Sequence, residues 1–243
     1  MELFNYFRSS ASYRVRIALA LKGLHYDYRA VQLTKNEQMG ESYAAVSASR
    51  LVPLLRDGEQ VLTQSLAIIE YLDETHPQPP LLPADPSGRA RVRALALDIA
   101  CEIHPLNNLR VLRYLVHSLK VSEEDKDRWY RHWVETGLET VERQLAAAPA
   151  RHCHGDAPTL ADCVLVPQIF NAQRFDCRTG HVPNVMRVFE PVQRSGPYAF
   201  FSAEHLVGVD LADALQSQRR LGVARALKIV LGAATGLCAA HAA

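Results

Sequence analysis

Apolar and polar positions change their period along this chain in a way that divides it in two. Residues 3–7 are short and apolar-aromatic and predict a strand. Residues 12–22 place Val15, Ala18, Leu19 and Leu21 on one helical face, and Gly23 stands where a C-cap glycine belongs. A second strand is predicted over 26–31, followed by a polar stretch, 34–48, with a weaker helical pattern. Residues 51–56 begin a third strand and 61–63 return it. Asp57-Gly58 lies between them as a hairpin signal, because both residue types tolerate positive φ. Ser65 is placed to cap a helix carrying Leu66, Ile69 and Leu72 on one side. The predicted order is β-α-β-α-β-β-α.

Pro77, Pro79, Pro80, Pro83 and Pro86 then crowd ten residues, a density that no helix or inner strand survives. From Ser87 onward no strand pattern appears. Residues 88–119 are predicted helical with a bend at His104-Pro105. Ser122-Glu123-Glu124-Asp125 resembles a capping box opening a second long helix to about residue 145, with Trp129, Trp133 and Val141 on its apolar side. Thr159-Leu160-Ala161-Asp162 is a further capping box, opening a helix through Phe170. The expectation is an α/β domain over 1–82, an all-helical domain over 88–190, and a tail over 191–243. Within the tail, 218–231 has the pattern of a basic amphipathic helix. It is read as a helix packed on the core or an ill-ordered tail, in preference to a membrane-surface or partner helix.

Composition narrows the function classes. Of 243 residues, 48% are hydrophobic and 22% charged, which excludes disordered and low-complexity classes. A net charge of +1 provides no global field for nucleic acid or an anionic membrane, so neither is an expected partner. An acidic ligand must be held by local arginines. Five cysteines without a C-x-x-C pair suggest free thiols in a reducing compartment. No signal-peptide pattern opens the chain, and a cytoplasmic location is expected. His152-Cys153-His154 invites a metal, but adjacent side chains diverge and no spaced fourth ligand follows, so none is expected.

Three segments carry chemistry. Arg8-Ser9-Ser10-Ala11-Ser12-Tyr13-Arg14-Val15-Arg16 puts hydroxyls at a strand-to-helix turn, where free backbone N–H groups attract anions, including a thiolate. Simple capping explains the same serines. Val52-Pro53 enters a strand, which fits an edge position, a cis bond beside an extended peptide, or an ordinary trans proline. Gln64-Ser65 opens a helix and suits a carboxylate or a plain cap.

Together these segments resemble the glutathione transferase superfamily, and its zeta class most closely. The zeta motif Ser-Ser-Cys-x-x-Arg-Val-Arg stands here as Ser9-Ser10-Ala11-Ser12-Tyr13-Arg14-Val15-Arg16. Further matching segments are Val52-Pro53, Gln64-Ser65-Leu66-Ala67-Ile68-Ile69-Glu70-Tyr71-Leu72, Ile103-His104-Pro105-Leu106-Asn107-Asn108-Leu109-Arg110, and Gly155-Asp156-x-Pro158-Thr159-Leu160-Ala161-Asp162. The resemblance implies a thioredoxin-like N-terminal domain that holds glutathione as cofactor, an all-α C-terminal domain, and a homodimer. It implies that Ser9 donates to the glutathione thiolate while Ser10 and Ala11 line the turn. Val52 beside cis-Pro53 would pair with the cysteinyl backbone, and Gln64 and Ser65 would take the γ-glutamyl carboxylate. Gln38, the segment Glu102, Ile103 and His104, and the segment Asn108, Leu109 and Arg110 would complete the pocket.

Ala11 replaces the family cysteine, but glutathione brings its own sulfur. The implied activity is cis–trans isomerisation of a maleyl keto-acid, a dicarboxylate from aromatic catabolism. A nucleophile adds to the activated alkene, the resulting single bond rotates, and elimination restores the double bond as trans. Arg8, Arg110 and Arg174 are the cations expected to hold the dianion, because guanidinium groups bind carboxylates in bidentate fashion. His104 is expected to orient a carboxylate or act on the enol. Asp162 is assigned to capping. The alternatives are a general glutathione transferase or α-haloacid dehalogenase, and a non-catalytic binding protein of the same fold.

Overall fold

The computed structural model describes residues 1–194. The tail helix expected over 218–231 lies outside the described residues. Strand β1 (Glu2–Asn5) pairs in parallel with β2 (Asp27–Ala30) and antiparallel with β3 (Leu54–Asp57), and β4 (Gln60–Thr63) closes the sheet in the order β2-β1-β3-β4. Register places Leu3 opposite Tyr28 on one side and Leu55 on the other. Asp57 faces Gln60, so the hairpin turn is Gly58-Glu59, one residue later than the sequence pattern indicated. Gly58 supplies the positive φ there, at +56°.

Helix α1 (Ser10–Leu21) is buried nearly all round, because it packs against both α3 (Ser65–Thr75) and α7 (Leu160–Arg174). Val15, Ile17, Ala18 and Leu19 join Leu3, Leu54, Leu55, Ile68, Ile69 and Leu72 in the core. Each such aliphatic side chain contributes about 1.5–3 kcal/mol on burial. Through α7, the strand-bearing half and the helical half share one compact unit, Met1–Gln193. The polar stretch after β2 folds as short 3-10 turns and a four-residue helix α2 (Glu41–Ala44).

A buried lysine fastens the proline-rich linker. Lys22 Nζ donates to Asp73 Oδ1 at 2.7 Å, to the His76 carbonyl at 2.7 Å and to the Pro79 carbonyl at 2.8 Å. Asp73 also accepts from Leu81 N, and the Leu81 carbonyl accepts from Leu160 N at the start of α7. One ion pair thus ties the end of α1 to the linker, and the linker to the helical half.

The helix expected over 88–119 divides into three pieces. Helix α4 (Pro86–Leu97) runs into a π turn (Asp98–Ile103), a 3-10 turn follows (Pro105–Asn107), and α5 (Leu109–His117) starts afresh. Pro105 has no N–H to continue the ladder, and the Asn108 side chain caps α5 by accepting from Arg110 N. Helix α6 (Glu123–Ala147) carries Gly137 against Ile103, where a Cβ would lie 2.3 Å from Ile103 Cγ1. That close approach lets the π turn dock on α6. Helix α8 (Pro183–Arg194) completes the described chain.

Candidate active site

Ser9 is the N-cap of α1, and its Oγ accepts from Ser12 N at 3.2 Å. The hydroxyl hydrogen remains available to a ligand, beside the unsatisfied N–H groups of the first helical turn. Arg16 holds this turn in place. It is buried, and its Nη2 donates to the Phe7 carbonyl at 3.0 Å, just before Arg8 and Ser9. Ser9, Ser10 and Ala11 open onto a cleft of about 860 Å³ that also receives Arg8, Gln38, Val52, His104, Asn108, Leu109, Arg110 and Arg174. A smaller cavity of about 340 Å³ shares Ala11, Val52, His104, Asn108 and Arg110 with it, and adds Arg14, Pro53, Gln64 and Ser65. The Val52–Pro53 bond is cis. Glu102 and Ile103 line neither cavity: Glu102 is exposed on the π turn, and Ile103 is buried against α6.

Two arginines from distant parts of the chain meet in the larger cleft. Arg8 follows β1, with its guanidinium 5.2 Å from the Phe7 ring centre. Arg174 is the last residue of α7, which runs four residues beyond Phe170, and its guanidinium lies 4.9 Å from the Phe175 ring. Phe175 in turn stacks on Tyr130 at 3.8 Å. Desolvation, followed among the lowering causes by the charge of Arg8, holds the Arg174 pKa below the usual guanidinium value. Two cations facing one another in a cleft form a site for an anion.

His104 ends the π turn with its Nδ1 3.2 Å from Ser10 Oγ. Desolvation, then the charges of Arg14 and Arg110, push its pKa down to about 3. The ring is therefore neutral at physiological pH and contributes hydrogen bonds without a counter-charge for a carboxylate. Gln64 precedes α3 with φ at +68°, a conformation costing a non-glycine residue about 1–3 kcal/mol and concentrated at ligand sites. Asp162 accepts from Thr159 N and Oγ1 and from Cys153 N, a structural cap.

The sequence singled out neither Arg14 nor Arg113 for the site. Arg14 is buried and donates through Nη1 to Ser65 Oγ at 3.2 Å. Arg113 of α5 clasps Asn36 Oδ1 at 2.8 Å and the Leu33 carbonyl at 3.3 Å, fastening the loop that presents Gln38. The available signal for Arg14 was a charged residue standing, like Arg16, among the buried apolar positions Val15, Ile17, Ala18 and Leu19 of α1.

A mixed four-stranded sheet with a cis-proline at its cleft, continued by a helical half, defines a glutathione transferase. Residues 3–80 match the family model described as glutathione S-transferase, N-terminal domain. The chain is 49% identical over 188 residues to a probable maleylacetoacetate isomerase of Vibrio cholerae, covering 76% of this chain and 87% of that one. It superposes on holo maleylpyruvate isomerase, a bacterial zeta-class glutathione S-transferase, with a TM-score of 0.81 at 44% identity, covering 83% of this chain and 96% of the other. A maleylacetoacetate isomerase of Methylobacterium extorquens AM1, solved with bound malonate and glutathione, gives a TM-score of 0.80 at 37% identity over 83% and 95% of the two chains. The chain belongs to the zeta class of the glutathione transferases.

Proposed function

We propose that this protein is a glutathione-dependent cis–trans isomerase that converts a maleyl keto-acid to its fumaryl isomer. Maleylacetoacetate is the preferred substrate and maleylpyruvate is close behind. The observation that carries this reading is the convergence of Arg8 and Arg174 on the cleft that also holds the Ser9-capped start of α1. When bound, glutathione supplies the sulfur nucleophile whose reversible addition frees the alkene carbons to rotate. The residues of the chain fit that ligand: two helix N-termini, a cis-proline and a buried guanidinium border the shared cavities.

Ser9 would donate its hydroxyl hydrogen to the sulfur, and the first turn of α1 would add positive potential, both of which favour the thiolate. Arg8 and Arg174 grip the carboxylates and stabilise charge developing on the keto-enol system. Arg110, at the mouth of both cavities, adds to the field that gathers the dianion. Neutral His104 fixes the first turn of α1 through Ser10.

The reading includes a cytoplasmic homodimer. Its support is the free Cys101, Cys153, Cys163 and Cys177, together with exposed Val61 on β4 and Leu97 on α4, 46% and 45% accessible. Among the described residues no helix is long and apolar enough to cross a membrane.

The test follows loss of enol absorbance of both substrates with and without catalytic glutathione. Turnover that requires the tripeptide and leaves its concentration unchanged is expected. Stoichiometric consumption would assign a transferase or dehalogenase instead, and glutathione binding without turnover would assign a binding protein.

A further inference from the structure

Tyr130 brings a phenol to the larger cleft with no hydrogen-bond partner for its hydroxyl. The residue lies on α6 with 3% of its surface exposed, and it lines the cleft alongside Arg8, Ser9 and Arg174. A buried tyrosine normally satisfies its O–H with a partner. Here the groups acting on the phenol among the described residues are the charges of Cys177 and Arg174, and no hydrogen bond is made to it. Burial holds its pKa above the ordinary phenol value, against the lowering charge of Arg174, so the group remains a donor at neutral pH.

The ring is fixed in place. Phe175 stacks on it at 3.8 Å, with 19° between the planes. Nε of the next residue, Arg131, donates to the Phe175 carbonyl at 3.1 Å and so ties the stack to α6. Toward the 3-10 turn, Trp129 Nε1 donates to the Leu106 carbonyl at 3.0 Å, and the Tyr130 carbonyl accepts from Asn107 Nδ2 at 3.4 Å. A donor anchored in this way needs no reorganisation when charge develops beside it.

The isomerisation requires such a donor. Addition of the glutathione sulfur forms a C–S bond at the alkene carbon β to the ketone and moves the π pair onto the ketone oxygen as an enolate. The former double bond, now single, rotates. The pair then returns, the trans alkene forms and the C–S bond breaks. Arg8 and Arg174 are occupied by the two carboxylates of the dianion and Ser9 by the sulfur, which leaves the enolate oxygen without a donor of its own. Ser10 Oγ is engaged with His104, and Asn36 Oδ1 with Arg113.

We propose that Tyr130 is a further catalytic residue, its hydroxyl donating a hydrogen bond to the ketone oxygen that becomes the enolate. The assignment rests on the isomerase reading above. Tyr130 keeps its proton throughout, and no net proton transfer accompanies the cycle.

Tyr130→Phe tests this, because it keeps the stacked ring and removes a hydroxyl that has no partner to lose, so the thermal melt should be unchanged. Initial rates with maleylacetoacetate and maleylpyruvate are paired with calorimetric titration of glutathione and with inhibition by fumarate, a dicarboxylate that lacks the ketone oxygen. Loss of one fixed donor should lower kcat at least ~10-fold. KM for the maleyl substrate, fumarate inhibition and glutathione affinity should each stay within about threefold, since none of them reports on the enolate. Tyr6 lines the same cleft and also acts on Arg174, so Tyr6→Phe is the comparison and should keep kcat within about threefold. A native-like kcat in Tyr130→Phe, a loss confined to KM or to fumarate or glutathione affinity, or a larger loss in Tyr6→Phe would overturn the assignment while the isomerase reading stands. A native protein that isomerises neither substrate would overturn both.

Discussion

Replacing Arg174 with alanine separates recognition of the dianion from recognition of the thiol. Arg174 ends α7 and rests on the Phe175 ring in the larger cleft, while Gln64, Ser65 and Arg14 border the smaller one. The substitution removes a charge-assisted contact worth about 1.5–3 kcal/mol. At about 1.36 kcal/mol per tenfold, kcat/KM for the maleyl substrate should fall about 10- to 150-fold. KM for glutathione should change by less than about threefold, since Gln64 and Ser65, the residues expected to take its γ-glutamyl carboxylate, border the smaller cavity, which Arg174 does not line. Folding stability should stay within about 0.5 kcal/mol: losing the ring contact destabilises slightly, and removing the repulsion with Arg8 offsets it. Arg174→Lys should recover part of the loss, because it restores charge without the planar fork. The assay is initial-rate enol disappearance with each substrate varied at saturating partner, alongside a thermal melt. Equal rises in both KM values, or a Lys variant indistinguishable from the native enzyme, would refute this division of labour.

Ser9→Ala should lower isomerisation at least about tenfold and raise the pKa of the bound thiol, read by thiolate absorbance. For His104, the folded pKa near 3 lies below the unfolded value of 6.5, so the unfolded chain binds the extra proton between them. Its contribution to stability is therefore present above pH 6.5 and is lost as pH falls toward 3. His104→Asn should remove this pH dependence, so the native-minus-variant difference in denaturant midpoint should shift against the native protein as pH falls across that window, and a difference that does not change with pH would contradict it. Lys22→Met should destabilise the fold by about 3–5 kcal/mol, because Asp73 keeps its burial and loses its counter-ion. Gly137→Ala drives a Cβ into Ile103 and should cost about 1–3 kcal/mol while raising KM for glutathione through the shifted π turn. Adding Ile103→Ala should restore that KM.

The strand and helix order was legible because its signals are local. Leu3 and Phe4 sit in a short apolar run, Asp57-Gly58 marks a hairpin, and Thr159 and Asp162 form the capping box their spacing announces. Boundaries drifted where tertiary contacts decide them. Helix α7 passes Phe170 because Ala172 is buried against the core, and it stops only where Asp176 takes a positive φ. Hydrophobic period cannot show that a π turn will end α4, since the turn depends on Gly137 thirty-four residues away admitting Ile103. The cleft-facing Arg8, Ser9 and Arg174 were reachable through motif resemblance. Arg14, Arg16 and Lys22 act through partners distant in sequence or through backbone carbonyls, which no local pattern encodes.

Ala11 makes sense in the light of those long-range contacts. It lines both cavities, a methyl group where the zeta motif carries a thiol. Of the four described cysteines, Cys101 borders the smaller cavity, and the other three line neither cavity. Burial raises the thiol pKa of Cys153 and Cys163 and pushes that of Cys177 up to about 12, which leaves them poor nucleophiles. A maleyl group is an electrophile toward any thiolate within reach, so a protein thiol at position 11 would compete with glutathione for the same alkene. With alanine there, addition falls to the tripeptide's sulfur, and the chain's own task reduces to placing charge and hydrogen bonds around it. The Ser9 cap and the Arg8–Arg174 pair are the groups proposed for that task, none of them bonded covalently to substrate, and the fold holds them: Ser9 by the Arg16–Phe7 contact and Arg174 by its ring.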